Sequence, residues 1–289
     1  METERPTAVA RLDSGLMEYW LSEGDGPVVL VLHGGHMRAG LPLGEEVFEE
    51  AGFRVLAPSR PGYGRTPLTT GPSPAAFADA VTELCGELDI DRLEAVVGIS
   101  AGGPAAAAVA TRHPDLVRRV ILESAVGPLP WPDRRSRLLG GLLFHPRIEA
   151  VTWALMHALT RALPGVALWS LMRDLSTRPA RAVVSALDSD TRQTVLDLLA
   201  RMRSGAGFTN DLRFLAQGTA DAADVSQPTL VVGTAKDGAV PFAHARALAG
   251  EIPRARLLAS EAESHFIWFG SDYPKISSQI SAFLAEDPH

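Results

Sequence analysis

A serine hydroxyl is a weak nucleophile until a base takes its proton and the backbone presents it to a substrate. Residues 98–102, Gly98-Ile99-Ser100-Ala101-Gly102, have the G-x-S-x-G spacing that makes such a presentation. The apolar run Leu93-Glu94-Ala95-Val96-Val97 precedes them, and Gly103-Pro104-Ala105-Ala106-Ala107-Ala108 follows. The first run reads as a short buried strand and the second as a helix with a proline near its first turn. A sharp strand-to-helix turn needs small residues two places either side of the serine. It also sets the next backbone N–H at a helix N-terminus, where negative charge is stabilised. The same five residues fit a plain glycine-rich turn carrying a surface serine, so the remaining catalytic groups must also be found.

The base is sought among the histidines after Ser100. His113 falls in a helix-ending turn, His145 and His157 in a strand-free block, His244 inside a helix and His289 at the last position. His265 alone lies on a loop after a sheet strand, between Ser264 and the apolar Phe266-Ile267-Trp268-Phe269. An orienting acid belongs at the carboxyl end of a strand between the two, in the chain order serine, acid, histidine. Asp237 follows Leu230-Val231-Val232 and is favoured, although Asp237-Gly238 is also a turn pair. Glu123, at the end of Val120-Ile121-Leu122, is its rival. The oxyanion that forms on an attacked carbonyl needs donors. The Ala101 N–H is one candidate. The other is the Gly35 N–H in His33-Gly34-Gly35-His36, with His36 as the fallback and His33 bracing the loop. His33 and His36 lack a third neighbour that would make a metal site.

These positions require a scaffold. Thr7–Leu12 and Met17–Leu21 flank a turn at 13–15 and read as an antiparallel hairpin. Val28–Leu32 is continuously apolar, as a strand covered on both faces should be. A helix at 45–51, a strand at 53–58, a helix at 74–88, the Ser100 strand and helix, and a strand at 120–122 follow. Beyond Gly127-Pro128 the pattern changes. Between Trp131 and Gly218 helices are expected at 148–163, 166–175, 179–187, 192–202 and 210–217, with Pro146, Pro164, Gly165 and Gly205 between them. Arg134, Arg135 and Arg137 form a basic cluster read as a solvated face. Trp131, Phe144, Trp153, Met156, Trp169 and Met172 supply an apolar core to this block, with a minority lining a pocket. Strands resume at 229–233 and 255–258, with helices at 242–249 and 274–284. This alternation predicts a mostly parallel sheet with helices on both faces, binding its ligand outside the carboxyl ends of the strands. The expected division is a core of 1–127 and 219–289, with a helical lid of 128–218.

Composition narrows the function further. Of 289 residues 46% are hydrophobic, enough for a sizeable core, and the net charge of −7 argues against a nucleic-acid or anionic-membrane partner. The single cysteine, Cys85, excludes an internal disulfide and sits in an apolar helical stretch as a buried thiol. The acidic opening, Met1-Glu2-Thr3-Glu4-Arg5-Pro6, lacks a signal-peptide core. A cytoplasmic setting is expected, with a small and largely apolar substrate, no cofactor, no metal, no nucleic acid and no membrane; association into a homo-oligomer is left open.

Taken together, His33-Gly34-Gly35, Ser59-Arg60-Pro61-Gly62-Tyr63-Gly64, Gly98-Ile99-Ser100-Ala101-Gly102-Gly103, Asp237 with Val240-Pro241, and His265 resemble the α/β-hydrolase superfamily over nearly the whole chain. The resemblance implies an eight-stranded sheet, a helical lid inserted after the sixth strand, and Ser100, Asp237 and His265 as nucleophile, acid and base. Epoxide hydrolases and haloalkane dehalogenases of that superfamily carry aspartate at the elbow, which Ser100 argues against. His36 stands where proline iminopeptidase-like members have proline. The activity implied is cleavage of a carboxylic ester, lactone or thioester through an acyl-enzyme on Ser100. The alternative is lyase, cyclase, acyltransferase or ligand-binding use of the same pocket.

Overall fold

Alternation along the strands explains the layering. In a strand successive side chains point to opposite faces. Val29, Val31, Val55, Ala57, Val97 and Ile121 enter one buried cluster, while Val28, Leu30, Leu32, Leu56, Val96 and Val120 enter another. Both faces of the central strands are therefore covered, which is why the sequence there is apolar without a break. Each fully buried aliphatic side chain of this kind contributes about 1.5–3 kcal/mol over its exposed state.

A computed structural model of the chain describes residues 4–216, 218 and 221–287. Its strands are β1 (Ala8–Leu12), β2 (Gly15–Leu21), β3 (Val28–Leu32), β4 (Arg54–Pro58), β5 (Leu93–Ile99), β6 (Val120–Glu123), β7 (Thr229–Thr234) and β8 (Ala255–Ser260). They form one sheet in the order β1-β2-β4-β3-β5-β6-β7-β8. The β1–β2 hairpin and the β2–β4 pair are antiparallel, and the six strands from β4 to β8 run parallel. One cluster packs beneath α1 (Glu46–Glu50) and α11 (Tyr273–Ala285). The other packs beneath α2 (Pro74–Glu87), α3 (Gly103–Arg112) and α10 (Ala243–Glu251). Ser73 caps α2 by accepting from the Ala76 N–H at 3.1 Å, with Pro74 in the first turn. Cys85 is buried on α2, and burial pushes its thiol up to about 12, so it is not a thiolate nucleophile.

Between β6 and β7 the chain inserts α4 (Arg134–Leu143), α5 (Glu149–Ala162), α6 (Pro164–Leu175), α7 (Ala180–Ala186), α8 (Ser189–Leu199) and α9 (Gly207–Leu215). Five of these correspond to helices expected from periodicity. The first does not: within it only Arg134, Arg135 and Arg137 are singled out from sequence, as a solvated face. Asp133 caps it by accepting from the Arg135 and Ser136 N–H groups. Expected residues Gln217 and His289 lie outside the described residues. Trp153 and Met172 are buried in the insertion, whereas Trp169 is 38% exposed and is not core.

The insertion is anchored by a buried ion pair. Asp211 on α9 accepts from both terminal nitrogens of Arg60 at 2.6 and 2.8 Å, and from the Tyr63 hydroxyl at 2.6 Å. Removing one member of such a pair leaves an uncompensated buried charge. Asp211→Ala is therefore expected to lower stability by about 3–5 kcal/mol, measured by urea unfolding. A loss under about 1 kcal/mol would show the pair to be solvated in solution.

Candidate active site

The elbow is built by close approach rather than by loose glycines. Ser100 itself holds a φ of +52°, a left-handed conformation that costs an L-residue about 1–2 kcal/mol. The glycines around it have ordinary torsions and serve another need. A Cβ on Gly98 would lie 2.7 Å from the Ala106 Cβ, and one on Gly102 would strike the Leu32 carbonyl oxygen. The turn can be this tight only because α3 and the end of β3 press directly on it. Across the gap, a Cβ on Gly34 would lie 2.9 Å from the Ser100 Cβ. The loop after β3 thus runs against the serine.

Beyond β7, His265 Nδ1 and Asp237 Oδ2 are 2.7 Å apart, with both residues buried. The other oxygen of Asp237 accepts from the Ala239 and Val240 N–H groups, both at 2.8 Å. Asp237 is thus a turn aspartate and the partner of His265 at once, one oxygen for each task. A carboxylate at Nδ1 requires the proton there and leaves the Nε2 lone pair available as a base. Ser100 Oγ makes no hydrogen bond to His265 or to any other described residue. Catalytic hydrogen bonds commonly close only in the substrate complex.

Glu123 is separated from this arrangement. It is fully buried, its Oε2 accepts from the Trp268 indole at 3.2 Å, and its Oε1 has no partner. Burial pushes its carboxyl up to about 8. The folded state therefore keeps a proton that the unfolded chain releases near pH 4.5. Stability from this group is complete below that pH and is lost as pH rises towards 8. Glu123→Gln, which keeps the acceptor for Trp268, is expected to flatten the fall in Tm between pH 5 and 9. Parallel Tm–pH curves for the two proteins would contradict the buried neutral carboxyl.

For the oxyanion, neither the Gly35 nor the Ala101 N–H is used in another described hydrogen bond. His36, the fallback, has its backbone against the Tyr63 hydroxyl. The His36 ring is held among Phe144, Trp153 and Phe208, and its Nδ1 lies 2.8 Å from Ser204 Oγ. Burial, helped by the Arg60 charge, pushes it down to about 3, so it is a neutral wall residue. His33 does brace the loop: its Nε2 is 2.7 Å from Glu45 Oε1, and its carbonyl accepts from Arg60 Nε at 2.8 Å. Ala101, Val126, Trp131, Leu212, Leu215 and Val240 form a small apolar cluster beside the elbow, with Phe208 packed on it. A separate small cleft reaches Ala101 and Pro104 from the Arg60–Asp211 side and touches neither Ser100 nor His265. No three His, Cys, Asp or Glu side chains among the described residues are grouped to hold a metal ion.

Five positioning hydrogen bonds were invisible in the sequence. Leu175, the last residue of α6, accepts at its carbonyl from the His265 N–H at 2.8 Å and from the Gly238 N–H at 3.1 Å. Ser176 donates its hydroxyl to the Glu263 carbonyl, and the Thr177 N–H donates to the Lys236 carbonyl at 2.9 Å. Ser124, at φ +45°, donates its hydroxyl to the His265 carbonyl at 3.0 Å. The insertion therefore straps together the loops that carry Asp237 and His265. Each contact uses a backbone group or a common serine, which leaves no motif to read.

Comparison with known proteins bears on the fold and the family. Residues 27–271 match the family described as alpha/beta hydrolase fold. A Bacillus subtilis protein named uncharacterized hydrolase YcgS is 31% identical over 97% of this chain and 99% of its own length. A pimeloyl-[acyl-carrier protein] methyl ester esterase from Aromatoleum aromaticum is 31% identical over 80% of this chain and 88% of its own. Among solved structures, an alpha/beta hydrolase fold protein from Nakamurella multipartita superposes with a TM-score of 0.81 at 23% identity, covering 96% of this chain and 99% of that one. The enol-lactonase from Burkholderia xenovorans gives 0.69 at 20% identity, covering 96% and 100%. With its eight-stranded sheet, its serine elbow and a match spanning most of its length, the chain belongs to the α/β-hydrolase fold family.

Proposed function

We propose that this α/β-fold hydrolase is a serine hydrolase that cleaves a carboxylic ester, lactone or thioester. The observation that carries the reading is the buried His265–Asp237 hydrogen bond on the same strand edge as a serine held at positive φ. Ser100 Oγ attacks the acyl carbon while His265 Nε2 takes its proton. The oxyanion is met by the N–H groups of Ala101 and Gly35. His265 then protonates the leaving alcohol or thiol. A water deprotonated by the same nitrogen releases the acid from the acyl-enzyme.

The apolar cluster around Trp131, Val126 and Val240 favours a largely apolar acyl or leaving group. The name of the Aromatoleum esterase supports the ester class. The helices of 128–218 act as a lid over the strand ends, and the Leu175–Ser176 strap makes that lid part of the site's support. The test is a series of p-nitrophenyl esters of increasing acyl length. Turnover with an initial burst of p-nitrophenol is expected. Absence of acid product across the whole series would count against ester hydrolysis.

A further inference from the structure

The whole-chain charge conceals a local one. Residues 134–173 contain six arginines and a single glutamate, within a protein of net charge −7. The same stretch is unusually apolar on its outside. Ten of the fourteen large hydrophobic side chains exposed among the described residues lie between Leu138 and Trp169. On α4 no residue is buried; Leu138 is 67% and Leu142 64% exposed. On α5 Leu155 is 68% exposed.

The helical spacing places the two properties together. Arg134 and Leu138 are four residues apart, as are Arg135 and Leu139, so each arginine stands one turn above a leucine on the same face. Leu142 and Leu143 continue both rows. Arg134 and Arg147 have no ion-pair partner among the described residues. A solvated helix face has no need of four exposed leucines, and a soluble monomer seldom leaves such a patch bare.

We infer that α4 and the adjoining faces of α5 and α6 dock on an anionic lipid surface. The leucines enter the acyl boundary and the arginine stems lie along it with their guanidinium groups at the headgroups. A second copy of the chain fits the patch less well. A two-fold contact sets the same surface against itself and brings like charges face to face. No described helix is long and apolar enough to cross a membrane, so the contact is one of lying on the surface. The patch is also the outer layer of the site. Phe208 lies between the Gly35 loop and α4, since a Cβ on Gly35 or on Gly140 would meet its ring at 3.1 or 3.2 Å. Docking there would bring the lipid within one side chain of the oxyanion loop.

Flotation of the full chain with vesicles tests this, independently of any enzymatic activity. The protein is expected to float with equal parts phosphatidylglycerol and phosphatidylcholine but not with phosphatidylcholine alone, and to be released by high salt. Leu138→Glu/Leu142→Glu should weaken binding by at least about tenfold, through lost insertion. Arg134→Glu/Arg135→Glu should weaken it by at least about tenfold, through lost attraction. Circular dichroism checks that both variants fold. Failure to float, or equal binding to phosphatidylcholine alone, would overturn the inference. So would a dimer mass by light scattering that Leu138→Glu/Leu142→Glu returns to one chain, since a second copy would then cover the patch.

Discussion

Ser100→Ala is expected to lower kcat/KM by about ten-thousandfold or more while the protein stays folded. The hydroxyl has no partner among the described residues, so its removal deletes the proposed nucleophile and little packing. On the proposed mechanism, the Gly35 and Ala101 donors and the apolar cluster remain to bind a substrate without attacking it. The backbone adds a second readout. The positive φ of residue 100 persists in the alanine variant, so stability should hardly change. Ser100→Gly accepts that torsion without strain and should gain about 1 kcal/mol in urea unfolding while being equally inactive. An active Ser100→Ala enzyme would remove the serine from the mechanism. A destabilised Ser100→Gly would show that residue 100 is unstrained.

The second large effect is at Asp237. Asparagine there can still accept from the Ala239 and Val240 N–H groups, so the turn survives. Its amide no longer demands the proton on His265 Nδ1, and the ring can place that proton on Nε2, where it cannot act as base. A loss of about ten-thousandfold in kcat with KM little changed is the expected outcome. Glu123→Gln is the matched control, since Glu123 bonds to Trp268 and not to His265. Steady-state kinetics on both variants decide between them: a larger loss in Glu123→Gln would make Glu123 the acid.

Much of this arrangement was legible in the chain. Strands β3, β5 and β7 were visible because central parallel strands are apolar on both faces. The elbow was visible because close approach of α3 and β3 forces glycine at 98 and 102. Asp237 and His265 could be singled out because strand ends are few and the chain order is restrictive. Chain order favours Asp237 over Glu123, but the sequence alone does not show which of the two meets a histidine. Both end a parallel strand, and only the three-dimensional course of the 263–269 loop gives His265 to one and Trp268 to the other. Gly35 is preferred to His36 for its open backbone, and that the His36 backbone lies against Tyr63, from a different loop, is not readable locally. The basic run at 134–137 was read without its leucines. The exposure of a helix face depends on what packs beneath it, and Gly140 on Phe208 is a contact no local pattern announces.

The central claim is that Ser100 is an activated nucleophile, and intact-protein mass spectrometry after treatment with a fluorophosphonate tests it most directly. A single phosphonyl adduct on the wild-type chain, absent from Ser100→Ala and slowed in Asp237→Asn, is the result expected. No adduct on the wild-type chain, or an adduct that persists in Ser100→Ala, would contradict it.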